Sequence, residues 1–145
     1  MNARYLTAAC LLFVSVAASA ADGPAPARHE LEFNSCMRTD RISNYSVVDD
    51  QTVIVANGPN FFKIGTDVAC PRMGIGGGVR FKSSPANQAM GGGRICGSIS
   101  EQIVRRDDPP CQIISVEEID KATYKQLEKK AKQKGAGPGI SGAAK

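Results

Sequence analysis

The chain has 145 residues, five cysteines, one histidine, no tryptophan and a formal net charge of +4. That length suits one domain with a modest core. Residues 36–120 carry nine basic and ten acidic side chains, whereas residues 121–145 carry seven lysines against Glu128 alone. The positive balance is a property of the C-terminal end, which excludes a whole-protein reading as a nucleic-acid binder.

In chain order, residues 1–20 come first. Arg4 gives a short positive start, residues 5–18 are almost wholly apolar, and Ala18-Ser19-Ala20 fits the small-x-small cleavage pattern. This pattern predicts a signal peptide that takes no part in the fold. The apolar run is too short for a comfortable membrane span and no second one follows, so the mature form is expected to have no transmembrane segment. Cys10 lies inside the apolar run, whereas lipid attachment needs a cysteine after it. The expected location is the periplasm or the extracellular space of a bacterium.

Residues 21–35 open with Pro and Ala, show no period and read as a flexible leader that orders only near Cys36. The single domain is expected over 36–134. Ile42, Tyr45, Val47 and Val48 suggest a first strand, and Asp49-Asp50 a turn. QTVIVANG predicts a second strand, followed by the turn cluster Asn57-Gly58-Pro59-Asn60. FFKIGT predicts a third, with Phe62 and Ile64 on one face and Phe61 and Lys63 on the other. GGVRFKSS is the fourth candidate and SSPANQAMGGG a loop. RICGSISEQIVRR is a fifth strand region, in which Ile95, Gly97, Ile99, Glu101 and Ile103 share a parity and Gly97 marks a bulge or bend. CQIISV is the sixth.

The period then changes. Ser115 and Glu118 match a capping box. Val116, Ile119, Thr123, Leu127 and Ala131 recur at spacings of three and four, predicting an amphipathic helix over about 116–134. Gly135, Gly137 and Pro138 stop it, and 135–145 reads as a disordered tail. The predicted fold is mainly β: about six short antiparallel strands forming a small barrel or strongly twisted sheet, with one C-terminal amphipathic helix.

Cys36, Cys70, Cys96 and Cys111 remain once the signal is removed, and an even count in a short exported chain favours two disulfides. Three pairings are open. Nesting, with Cys70 to Cys96 inside Cys36 to Cys111, is the simplest expectation. No CxxC occurs and no histidine lies near a cysteine, which argues against zinc and against a thioredoxin-like pair.

The segment from Cys70 to Cys96 holds two glycine triplets. A P-loop needs a lysine and a hydroxyl residue after the glycines and a helix to follow; here Val79 and Arg80 follow, in a strand. The dinucleotide fingerprint fails for lack of a helix. Turns and loop spanned by a bridge are the expected role, with a mild anion site at Arg72, Arg80 and Arg94 as the functional counterpart. His29 is the only histidine and lies in the leader. Asp49-Asp50 and Asp107-Asp108 are acidic pairs in turns, where aspartate has a conformational reason to be. No catalytic residue, cofactor or metal ligand is expected. Lys121, Lys125, Lys129 and Lys132, at spacings of four, four and three, line one helix face, with Lys130 and Lys134 widening it. Such a face is commonly just solvated; as a functional face it would meet an acidic protein or an anionic envelope surface.

The order Cys36, RISNYSVVDDQTVIV, FFKIG, Cys70, GGVRF, RIC around Cys96 and CQIISVEEI around Cys111 resembles a family of small exported Gram-negative bacterial proteins of unknown function. The resemblance covers about residues 36–120. It implies export and a single cysteine-bridged domain, and brings no activity. The functional expectation is a non-catalytic periplasmic or secreted binding or envelope-associated domain. The alternative is a small hydrolase using dispersed carboxylates.

Overall fold

The computed structural model describes residues 27–75 and 78–134. Among the described residues, eight strands and two α-helices follow one another: β1 (Met37–Arg38), β2 (Ile42–Asp49), β3 (Thr52–Asn57), β4 (Asn60–Thr66), β5 (Arg80–Lys82), α1 (Pro85–Ala89), β6 (Arg94–Ile95), β7 (Gln102–Val104), β8 (Cys111–Ile119) and α2 (Lys121–Gln133). Six of the strands form one antiparallel sheet in the order β2-β3-β4-β8-β7-β5, and β1 pairs with β6 beside it. The fold is mainly β with one long C-terminal helix, as the sequence predicts.

The first three strands of the sheet form a meander because their turns are cheap to make. Asp49 Oδ1 accepts from the Gln51 N–H at 3.0 Å, fixing the first turn. In the second, Asn57 pairs with Asn60 across Gly58, whose φ of +61° suits glycine. The sheet then curls into a half-barrel. Its two edge strands meet across the interior, where the N–H of Val79, just before β5, donates to Tyr45 Oη of β2 at 2.9 Å. The Tyr45 and Phe81 rings stand edge to face, 6.3 Å apart. Inside the curl lie Met37, Val53, Val55, Phe62, Ile64, Ile95, Ile113 and Val116, all essentially inaccessible to solvent. The opposite face carries a second cluster of Val48, Ile54, Tyr124 and Ala131, with Phe61, Ile119 and Leu127 around it. Alternation along β3 and β4 supplies both: Val53, Val55, Phe62 and Ile64 point inward, and Ile54 and Phe61 point toward α2.

Several sequence expectations are corrected. The helix expected over 116–134 begins at Lys121, and Val116 and Ile119 belong to β8. Gly65 pairs with Ser115 but Thr66 with Ile113, so β8 carries a bulge at Ile114. The bulge places Ile113 and Val116 on the same side at a spacing of three, which imitates a helical period. Asp120, not Ser115, caps α2, accepting from the N–H groups of Ala122 and Thr123.

The fifth strand region is two strands in different sheets. The chain turns at Gly97, φ +95°, and β7 starts only at Gln102. The segment read as loop contains α1, with Pro85 opening it and Ser84 Oγ accepting from the Asn87 N–H.

Residues 27–35, read as part of a flexible leader, are fastened to the sheet. β7 pairs with β8 only at Gln112 and Cys111, which leaves the next part of that edge open. His29 fills it in a parallel bridge with Ser115: its N–H donates to Ile114 O at 2.9 Å, and the Val116 N–H donates to His29 O at 3.2 Å. The Arg28 guanidinium donates to Gly97 O and Ile113 O, and the Leu31 N–H to Cys96 O.

The disulfides join Cys36 to Cys96 and Cys70 to Cys111, interleaved instead of nested. The β1–β6 register explains the first: Met37 lies opposite Ile95, so Cys36 and Cys96 form the next pair along. Beyond β4 the chain continues beside the start of β8, where the Asp67 N–H donates to Gln112 O, and so brings Cys70 to Cys111. Closing loops of 60 and 41 residues is worth about 4 kcal/mol for each bridge taken alone. The predicted signal peptide over 1–20, the rest of the leader and the tail over 135–145 lie outside the described residues.

Candidate functional site

Where β4 ends and β8 begins, the chain borders a cavity of about 190 Å³. Val68, Pro71, Met73, Ile103 and Pro110 give it mostly apolar walls, and the Cys70–Cys111 bridge forms part of its lining. Arg105 and Asp108 are its charged lining residues. Arg105 Nη1 stands 3.2 Å from Asp108 Oδ2, and the exposed Arg72 also pairs with Asp108. The Arg105 guanidinium donates to the carbonyls of Arg72 and Ile75, bracing the turn that follows Cys70. Arg72 holds a left-handed backbone with φ +64°, and the Ile75 N–H donates to its carbonyl at 2.9 Å. For a residue with a Cβ this is a strained conformation, maintained here by surrounding contacts.

Glu101 is the fully buried charged residue among the described residues. Its Oε2 accepts from the N–H groups of Cys96, Gly97 and Ser98 at 2.9, 2.7 and 3.1 Å, and its Oε1 from Asn87 Nδ2 at 2.7 Å. Burial pushes the carboxyl above its ordinary range, against the opposing pull of these donors. Successive backbone N–H groups form a nest around the carboxylate. Glu101 thereby ties the Gly97 turn to α1 beside the Cys36–Cys96 bridge, and its oxygens are committed to that task.

On the opposite face of the sheet, α2 docks through Tyr124, Leu127 and Ala131, with the Tyr124 ring 4.7 Å from Phe61. Lys121, Lys125, Lys129 and Lys132 are all exposed. Lys132 pairs with Glu128 at 3.3 Å, one helical turn away.

The other candidates are dispersed. Arg94 stacks over the Phe33 ring at 4.5 Å, Arg72 pairs with Asp108, and Arg80 is exposed on β5, so the three arginines do not assemble an anion site. His29 Nδ1 lies 3.1 Å from Val116 O and serves the edge of the sheet. Asp49 holds a turn, Asp50 O accepts from the Cys70 N–H, and Asp108 belongs to the cavity rim. Among the described residues, no three His, Cys, Asp or Glu side chains stand together as metal ligands would. Among them, too, no helix is long and apolar enough to cross a membrane. Sequence reasoning missed the cavity, whose lining comes from stretches of chain far apart in sequence. It also missed Glu101, although an acid on the parity of Ile95 and Ile103 was the available signal.

Against known proteins, the model of one family matches residues 1–135: the DUF6491 family, a family of unknown function. The chain belongs to that family. No curated protein and no solved structure matches it.

Proposed function

Starting from a family without an assigned activity, we propose that the protein is a non-catalytic, exported binding domain that rests the lysine face of α2 on an anionic surface of the cell envelope. The observation that carries this reading is the division of labour on α2. Tyr124, Leu127 and Ala131 are used up in docking, while Lys121, Lys125, Lys129 and Lys132 stand in solvent at successive turns. Two disulfides in so short a chain favour an oxidising compartment. The commitment of Glu101 to its own backbone weighs against the hydrolase alternative.

The test is vesicle binding. Attraction between exposed charges is screened over about 8 Å at physiological ionic strength. The protein should bind anionic vesicles and not zwitterionic ones, and should be released as salt rises. Replacing Lys121, Lys125, Lys129 and Lys132 with glutamine should abolish binding while leaving thermal stability unchanged. Equal binding by the quadruple variant would refute the assignment to this face. Lys132 should matter least of the four, because Glu128 already neutralises it.

A further inference from the structure

The geometry beside the Cys70–Cys111 bridge points to a second binding site, independent of the α2 face: we propose that the cavity receives one compact apolar side chain of an acidic polypeptide partner. Size sets the first limit. An engineered apolar cavity of about 150 Å³ holds a benzene molecule, whereas sites for drug-sized ligands start near 300 Å³. At about 190 Å³ this one accommodates a single ring or a branched aliphatic group and excludes a lipid tail. The walls of Val68, Pro71, Met73 and Pro110 offer such a group little but apolar contact.

The surroundings of the mouth identify the kind of molecule that carries the group. Val68 and Ile75 leave 56% and 68% of their surface in water, one lining the cavity and the other in the turn beside it. A free small molecule filling the cavity would leave Ile75 exposed, whereas a polypeptide passing over the mouth covers it. Charge gives the sign of the partner. At the rim Arg72 and Arg105 both pair with the Asp108 carboxylate. Arg72 is the outer of the two, with 63% of its side chain exposed. The strained left-handed backbone that holds it there is of the kind that collects at binding sites. A carboxylate flanking the inserted side chain meets the Arg72 guanidinium.

The experiment follows amide chemical shifts of the isotope-labelled mature protein during titration with short peptides. The first has one phenylalanine between acidic residues, the second has alanine in its place, and the third has lysines for the acids. The first should shift resonances of Val68, Ala69, Ile103 and Cys111 and leave those of α2 unmoved. The second and third should each bind about tenfold more weakly or worse. Arg72→Gly is the matching protein variant: it removes the guanidinium and suits the positive φ, so it keeps the fold and should weaken both acidic peptides but not the lysine one. Ala69→Leu narrows the mouth and should weaken the first peptide while leaving the alanine peptide unchanged. Shifts confined to α2, no shifts at millimolar peptide, or equal affinity for the phenylalanine and alanine peptides would each overturn the proposal. Equal affinity for free phenylacetate and the first peptide would overturn the polypeptide part of it.

Discussion

Replacing Glu101 with alanine removes the acceptor of four donors at once. The N–H groups of Cys96, Gly97 and Ser98 and the amide of Asn87 all end on its two oxygens at 2.7–3.1 Å. The Asn87 amide has only longer alternatives, Arg94 O at 3.5 Å and Cys96 Sγ at 3.4 Å. Hydrogen bonds to a charged acceptor are each worth roughly 1.5–3 kcal/mol, but water entering the vacated space recovers part of the sum. The net loss for Glu101→Ala should therefore be about 3–5 kcal/mol, as for breaking a buried charged pair. Glu101→Gln should cost only about 1–2 kcal/mol, because its amide oxygen in the Oε2 position still serves the three backbone donors. Asn87 can then turn its own amide to accept from the new NH₂ group. The assay is urea unfolding with both bridges intact, followed by circular dichroism. If Glu101→Ala unfolds within 0.5 kcal/mol of the wild type, a magnitude typical of featureless surface sites, then the nest does not hold the Gly97 turn and the reasoning fails.

Tyr124 Oη is buried without a hydrogen-bond partner among the described residues; Tyr124→Phe should leave stability unchanged or raise it by up to about 1 kcal/mol in the same assay, whereas Tyr124→Ala should cost about 3–4 kcal/mol. A Cβ at Gly97 would run into His29 O and come within 3.3 Å of Glu30 Cα, at a φ of +95°. Gly97→Ala should therefore destabilise by about 2–4 kcal/mol and speed amide exchange at Leu31, with unchanged exchange counting against the seating of residues 28–31 on the sheet. The backbone and hydroxyl of Thr123, together with the Ala122 N–H, hold the Asp120 carboxyl below its ordinary value. With its folded pKa depressed, this cap's contribution is complete above the unfolded value of 3.8 and is lost as pH falls through the folded one. The acid-induced loss of helical signal should shift when Asp120 is replaced by asparagine, which caps without titrating; identical acid profiles would contradict the assignment.

The parts of the fold that were legible in the sequence are those fixed by neighbours along the chain. Phe62 and Ile64 opposite Phe61 and Lys63, the Asn57-Gly58 turn and the Tyr45–Val48 strand follow from alternation and turn chemistry. What was not legible depends on partners distant in sequence. Val116 and Ile119 fit a helical period only because both faces of β8 are covered: a spacing of three along a strand puts Val116 in the interior of the curl and Ile119 against α2, so both are apolar. The segment from Arg28 to Leu31 has no period of its own because its order comes from the open edge of β8 and the turn at Gly97. The disulfide pairing depends on which strands lie side by side, a fact absent from cysteine spacing. The lysine face was legible because a helix surface is a local property; the cavity was not, because its walls come from three separate stretches of chain.

The interleaved bridges have a consequence for how the molecule matures. Read from Cys36 onward, no two successive cysteines are partners: Cys36 skips Cys70, and Cys70 skips Cys96. A chain oxidised as it emerges, in order, would first join Cys36 to Cys70, and every such neighbour pairing is wrong. Correct oxidation must therefore wait for the last strand or be reached by reshuffling, in which a remaining thiolate attacks a misplaced bridge. The β2–β4 meander carries no cysteine and can form while the thiols are still free. β8 is the strand that then completes the address of each cysteine, since it both carries Cys111 and anchors the segment that leads to Cys36. Oxidative refolding of the reduced protein should be slow and should be accelerated by a disulfide isomerase more than by a simple oxidant.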